Sequence, residues 1–469
     1  MRGTRFTIFV VVVVVILAVL YQLSSYNDYR AQLRKGVTLG GVPVGELLPG
    51  EATHAVESAY YAPLTVRYQD QTLTVSPRDL GLRLRAQEMV TEAFEDQEIA
   101  DYWGGFLDYL LEEPGPAVDY PLQASYDEEI LRLWLDRVAE EYDQSLLQPH
   151  AVVETLSYSP GQPESRLDVP ASLPRLAEAL VSPADREVEL VVHTRQPEQP
   201  SVALLKEMVE VRLADFPGLG GVFIRNVTTG ETVRSDADVA FAGMSILKIG
   251  IVEEAYRVLE DAPDAETTKL ISETMTLSGN YTANLLLRLI GGGDSFRGVQ
   301  LFTESMHGLG LVNTFMVSPY DVEEVPVHIV TPANSRTDKD TAPDPHMQTT
   351  PEDMGLLMEM IYHCAHGGGN LLAAYHDQLA PDECQAILDV MAQNKVGSFL
   401  EAGTPAGVPV AHKHGWIGDT HADVGMVFSP GGDYVFSVFL YRPGWLEWEV
   451  SSETMGDLAW ATYNYFNGE

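Results

Sequence analysis

The stretch Phe241-Ala-Gly-Met-Ser-Ile-Leu-Lys-Ile-Gly250 decides how the chain is read, because it sets Ser245 and Lys248 three residues apart at the start of an apolar, helix-like run. Residues three apart on a helix share a face, so the lysine amine comes within hydrogen-bond reach of the hydroxyl and can take its proton. The first turn of a helix adds unpaired N–H groups and a partial positive charge, which favour an alkoxide and the oxyanion that follows acyl attack. An amphipathic helix with a serine cap and a surface lysine produces the same four-residue pattern, which occurs once in the 469 residues.

Two stretches downstream supply what such a nucleophile needs. Ser278-Gly-Asn280 combines a hydroxyl able to pass a proton to a leaving nitrogen with an amide able to hold a substrate carbonyl, ahead of a leucine-rich helix. His412-Lys413-His414-Gly415-Trp416 offers fixed positive charge at Lys413, and Gly415 lets a substrate lie close to an edge strand whose N–H completes an oxyanion hole. Around them the pattern is α+β. Leu204 to Phe216 reads as an amphipathic helix, Gly221 to Val227 and Glu231 to Ser235 as a hairpin, and Met354 to Tyr362 and Pro381 to Met391 as helices. Ala422 to Phe428 and Tyr434 to Tyr441 read as antiparallel strands, and Glu453 to Phe466 as a closing helix, giving an antiparallel sheet packed against helices.

The three stretches, in this order, resemble the class A β-lactamase and penicillin-binding-protein superfamily. Ser245 and Lys248 match S-x-x-K, Ser278 and Asn280 match S-x-N, Lys413 and Gly415 match K-[TS]-G, and Thr349-Thr-Pro351 stands before a helix as in that family. The resemblance covers roughly residues 202–469. It implies a serine hydrolase acting on a β-lactam or another amide or ester. Lys248 is then the base, Ser278 the proton shuttle and Lys413 the electrostatic clamp, with the Ser245 and Trp416 N–H groups as oxyanion hole. Asn280, His414, Gly415 and Trp416 line the substrate site. A D-Ala-D-Ala-type peptidase, or a wall-binding or penicillin-sensing protein without turnover, are the alternatives. Gly279 stands where the family has an aspartate, and His414 where it has a hydroxyl that meets a substrate carboxylate. The deacylating glutamate is missing, since no Glu occurs between Glu324 and Glu352; Asp338, Asp340 and Asp344 are candidates in its place. Acyl groups are therefore expected to leave Ser245 slowly.

Residues 25–201 form a smaller α+β region. Strands at Leu64 to Tyr68 and Thr72 to Val75 flank Gln69-Asp-Gln71, and helices are expected at Pro49-Gly-Glu-Ala, Glu128 to Tyr142 and Pro174 to Leu180. Val37-Thr-Leu-Gly-Gly-Val-Pro-Val-Gly45, Pro77-Arg-Asp-Leu-Gly81 and Ser165-Arg-Leu-Asp168 resemble the peptidoglycan-binding domain that precedes the catalytic part of several bacterial envelope proteins, including the vancomycin-resistance-associated W family. That resemblance implies peptidoglycan as a partner; a simple stalk is the alternative. Gln196-Pro-Glu-Gln-Pro200 has linker composition and separates this region from residues 202–469.

Residues 1–24 hold an apolar run, Phe6 to Leu23, long enough to span a bilayer, with Arg2 and Arg5 in front of it. This predicts a retained single-pass anchor in the cell membrane with the rest of the chain on the extracytoplasmic side. A formal net charge of −39 argues against nucleic acid and anionic lipid as partners. No cofactor is implied. His412, His414 and His421 lack a placed carboxylate partner in the pattern, so no metal site is expected either. Cys364 and Cys384 allow one bridge, and are expected as free buried thiols. Tyr281 and Trp416 read either as aromatic walls of the cleft or as ordinary packing.

Overall fold

The computed structural model describes residues 2–98, 102–111, 117–322 and 327–468. Glu324 and Val325, at the start of the loop searched for a glutamate, lie outside that set, as do the side chains of Arg2 and Arg5. A helix over Arg2–Arg30 opens the chain, and its Phe6–Arg30 part is long and apolar enough to cross a membrane. Two compact units follow from the contacts: residues 1–147 with 162–197, and residues 148–161 with 198–469.

In the first unit, strands Leu64–Tyr68 and Gln71–Val75 form the expected hairpin, with Gln69 in the left-handed region at φ 49°. Glu187–Glu189 adds a parallel strand to it. Asp127 caps the helix Glu128–Tyr142 through a 2.9 Å bond from the Glu129 N–H, which satisfies one of the four unpaired donors of a first turn. The helix expected from Pro174 starts earlier, at Val169, because Asp168 accepts from the Ala171 N–H and Pro170 suits the first turn; Pro174 then lies inside it.

In the second unit, helix α1 (Val202–Ala214) leads into β1 (Leu219–Asn226) and β2 (Thr232–Ser235). A 3₁₀ turn over Met244–Leu247 runs into α2 (Lys248–Val258), followed by α3 (Asn280–Ile290), α4 (Pro351–Ala365) and α5 (Pro381–Met391). Then come β3 (Val410–Trp416), β4 (Thr420–Val427), β5 (Tyr434–Tyr441) and α6 (Trp448–Asn467). The five strands make one antiparallel sheet in the order β2-β1-β5-β4-β3. Helices cover both faces. The two-residue period of a strand sends Phe223, Val435 and Phe439 to one core, with α2 and α4, and sends Val222, Ile224, Phe436 and Val438 to the other, with α1 and α6. That is why Tyr434 to Tyr441 is an unbroken apolar run rather than an alternating one. The hairpin His150–Val152 and Ser157–Ser159, which stands within the stretch 25–201, groups with this second unit. There the Tyr158 ring lies edge-on to Tyr465 at 5.4 Å, and Asn464 Nδ2 donates to the Leu156 carbonyl at 2.7 Å.

The cysteines correct a sequence expectation. Cys364 and Cys384 are bonded to one another, since α4 and α5 pack together and bring their Cα atoms to 5.8 Å, inside disulfide range. A separation of 20 residues across two helices gives no hint of that approach.

Candidate active site

A second, smaller sheet sets the site. Phe241–Ala242 and Phe315–Met316 both pair with Met347–Thr349, so the segment before Ser245 and the segment before Tyr320 are tied to a common strand. The Gly243 N–H donates to the Met347 carbonyl at 2.7 Å, and Met244 then turns at φ 47°. Ser245 thus stands on the 3₁₀ turn rather than on the first turn of the α-helix, and Lys248 is the first residue of α2. In a 3₁₀ turn residues i and i+3 eclipse, which brings the amine over the hydroxyl more directly than α geometry would.

Lys248 is fully buried, and its Nζ lies 2.9 Å from Ser245 Oγ, 2.7 Å from the Ser278 carbonyl, 2.8 Å from Asn280 Oδ1 and 3.4 Å from Ser278 Oγ. Burial pushes its pKa down to about 8, against the opposing charge of Asp321. The two carbonyl oxygens accept only, so in the neutral amine they take both N–H groups and leave the lone pair for the Ser245 hydroxyl.

Lys413, also buried, reaches Ser278 Oγ at 2.9 Å and the His414 carbonyl at 2.7 Å. Burial and then the nearby Lys248 charge bring it down to about 7, while Asp423 opposes them. Ser278 Oγ therefore sits between two amines. It is held there by a left-handed backbone, φ 56°, which is costly for a residue with a side chain and typical of functional positions. Gly279 is explained by space: a Cβ there would come within 2.6 Å of Thr282 Oγ1, and the Thr274 and Thr282 hydroxyls, 3.0 Å apart, fill the volume beside it.

Gly415 lies against the nucleophile, since a Cβ on it would be 3.1 Å from Ile246 Cγ1 and 3.2 Å from the Ser245 nitrogen. His414 is neutral, its pKa lowered to about 4 by burial and by the Lys413 charge, and its Nδ1 faces Asn394 Nδ2 at 3.3 Å. On the same sheet face His412 is buried against Asp423, with Nδ1 2.9 Å from either carboxylate oxygen. Burial alone would lower His412, but Asp423 and then Glu401 raise it. His421 bonds Ser451 Oγ at 2.6 Å. Among the described residues no group of three or more His, Cys, Asp and Glu is placed to hold a metal ion. Tyr281 and Trp416 are 74% and 58% exposed, so neither ring is core packing.

Sequence reasoning missed the loop Ser318-Pro-Tyr-Asp321. Tyr320 is buried with Lys248 Nζ 4.6 Å from its ring centre, and its hydroxyl donates to the Met244 carbonyl at 2.8 Å. Asn284 grips the Tyr320 backbone with two 2.9 Å bonds, one donated and one accepted. Asp321, at φ 60°, accepts from Asn280 Nδ2 at 3.1 Å. No periodicity marks these four residues, and only the fold brings them under Lys248. The three aspartates named from sequence are engaged elsewhere. Asp338 is ion-paired with Arg336 at 2.6 Å, which lowers its pKa to about 2, and Asp340 and Asp344 each accept a backbone N–H at 2.8 Å.

The model of the β-lactamase enzyme family matches residues 257–466, a span that includes Ser278, Asn280, Lys413 and Gly415 and begins after Ser245 and Lys248. No match is found among curated proteins. Among solved structures, PBP-A is similar at 19% identity and a TM-score of 0.44, over 58% of this chain and 99% of its own. The β-lactamase from Sphaerobacter thermophilus is similar at 18% identity and a TM-score of 0.43, over 58% of this chain and 99% of its own. A class A β-lactamase from Mycobacterium abscessus is similar at 19% identity and a TM-score of 0.43, over 56% of this chain and all of its own. The second unit of this chain thus carries a domain of the β-lactamase enzyme family, matched over residues 257–466.

Proposed function

We propose that the second unit is a serine hydrolase that forms an acyl-enzyme on Ser245 with a β-lactam or a peptide-like amide or ester. The observation that carries this reading is the 2.9 Å contact between Lys248 Nζ and Ser245 Oγ, with two carbonyl acceptors turning the amine lone pair toward the hydroxyl. Lys248 takes the Ser245 proton as Oγ bonds to the acyl carbon. Ser278 hands a proton to the departing nitrogen or oxygen, with Lys413 stabilising the negative charge that builds beside it. The Ser245 and Trp416 N–H groups receive the oxyanion, and Asn280 uses its free amide hydrogen on the substrate carbonyl. Penicillin G forms an acyl-enzyme with PBP-A, which makes it the natural first probe.

The same reading places the catalytic unit outside the cell membrane, anchored by the helix Phe6–Arg30. The Cys364–Cys384 bond supports it, because such bonds persist in oxidising compartments. Intact mass after incubation with penicillin G tests the chemistry. One added penicilloyl mass is expected on the wild-type chain and none on Ser245→Ala; labelling of Ser245→Ala would move the nucleophile elsewhere.

A further inference from the structure

Release of an acyl group from Ser245 needs a group that takes a proton from water, and the carboxylates named from sequence do not stand in the site. Asp321 does. Its Oδ1 accepts from Asn280 Nδ2 at 3.1 Å, while the same amide's Oδ1 accepts from Lys248 at 2.8 Å, so Asp321 is one side chain removed from the amine that touches Ser245. It is exposed to solvent, and its second oxygen accepts no hydrogen bond from the described residues. Its placement is built rather than accidental. Asn280 and Asn284, one helical turn apart on α3, hold Asp321 and the Tyr320 backbone respectively, and the Tyr320 ring and hydroxyl lock the loop beneath Lys248 and Met244. The left-handed backbone at Asp321 is the strain that this bracing sustains. Asp423, by contrast, lies buried on the other sheet face against His412, and Glu253 and Glu254 are buried farther along α2.

We infer that Asp321 is the general base that activates the hydrolytic water. The inference rests on the acyl-enzyme reading above. The water oxygen bonds to the acyl carbon as Asp321 takes one of its protons. The bond from that carbon to Ser245 Oγ then breaks, and Oγ leaves with a proton from the Lys248 ammonium. The proton on Asp321 passes to Lys248 through water, restoring both groups, and the released acid loses its own proton to solvent. Acyl groups then leave faster than the missing glutamate suggests.

The test separates the two steps. Full-length wild type, Asp321→Asn and Asp321→Glu are acylated with penicillin G and with N-acetylalanine p-nitrophenyl ester, freed of excess reagent, and followed by intact mass. Asp321→Asn still accepts the Asn280 hydrogen bond, so adduct formation is expected within about threefold of wild type, which also reports a folded site. Its adduct is expected to persist about 10² to 10⁴ times longer, the usual worth of general-base help. Asp321→Glu is expected to recover part of the release rate. Adducts that form on Asp321→Asn and decay as fast as on wild type overturn the role of Asp321 and leave the acyl-enzyme reading standing. Absence of any adduct on wild type with both probes overturns that reading and this one with it.

Discussion

At the scale of single residues, the site depends on a lysine that is neutral often enough to act. Lys248 titrates near 8 because burial disfavours its ammonium, so its basic form grows about tenfold per pH unit up to that point and levels off above it. Adduct formation with a neutral ester should follow the same curve, rising from pH 6 to 8 and flattening beyond. With penicillin G, an anion, the profile should bend downward as Lys413 loses its charge near 7. A profile flat between pH 6 and 9 for both probes would exclude Lys248 as the base. Lys248→Ala is expected to lower adduct formation by about 10² to 10⁴. His414 sharpens the comparison. A neutral imidazole takes the place next to Lys413, so the lysine alone supplies positive charge to an anionic substrate from that strand.

At the scale of elements, the sheet and its helices were largely legible from the sequence, and the reasons are local. The hairpin over Gly221 to Ser235 and the strands around Pro430-Gly-Gly-Asp433 have turn chemistry and apolar runs of strand length, so their pairing needs no long-range information. Ser245, Lys248, Ser278 and Lys413 were named because each lies in a short pattern whose spacing carries the chemistry. Asp321 and Tyr320 were not, because their role arises from a three-strand sheet joining residues 241–242, 315–316 and 347–349, which no spacing reveals. The Cys364–Cys384 bond escaped for the same reason: it reports how α4 lies on α5, a tertiary fact. Closing that loop of about 20 residues should contribute about 3 kcal/mol by restricting the unfolded chain. Cys364→Ser with Cys384→Ser is therefore expected to lower the denaturant midpoint of the second unit's transition, and reductant should do the same to the wild type alone. An unchanged midpoint would mean that α4 and α5 are held by packing only.

At the scale of the whole molecule, the chain moves between its two units three times, at about residues 148, 162 and 198, because the hairpin over 148–161 belongs to the second unit. The exposed stretch around Gln196-Pro-Glu-Gln-Pro200 is the natural place for a protease to cut. Such a nick leaves the hairpin seated, with Tyr158 on Tyr465 and Leu156 bonded to Asn464. The cleaved protein should then run as two bands under denaturing conditions and as one particle in size-exclusion chromatography. Two separate particles would show that the hairpin is too weak a clasp. If it holds, the enzyme cannot be shed from its anchor by one cut, since the N-terminal fragment keeps its grip through a borrowed strand pair. Shedding would take a second scission on the anchored side of residue 148, which makes the domain boundary a latch with two bolts.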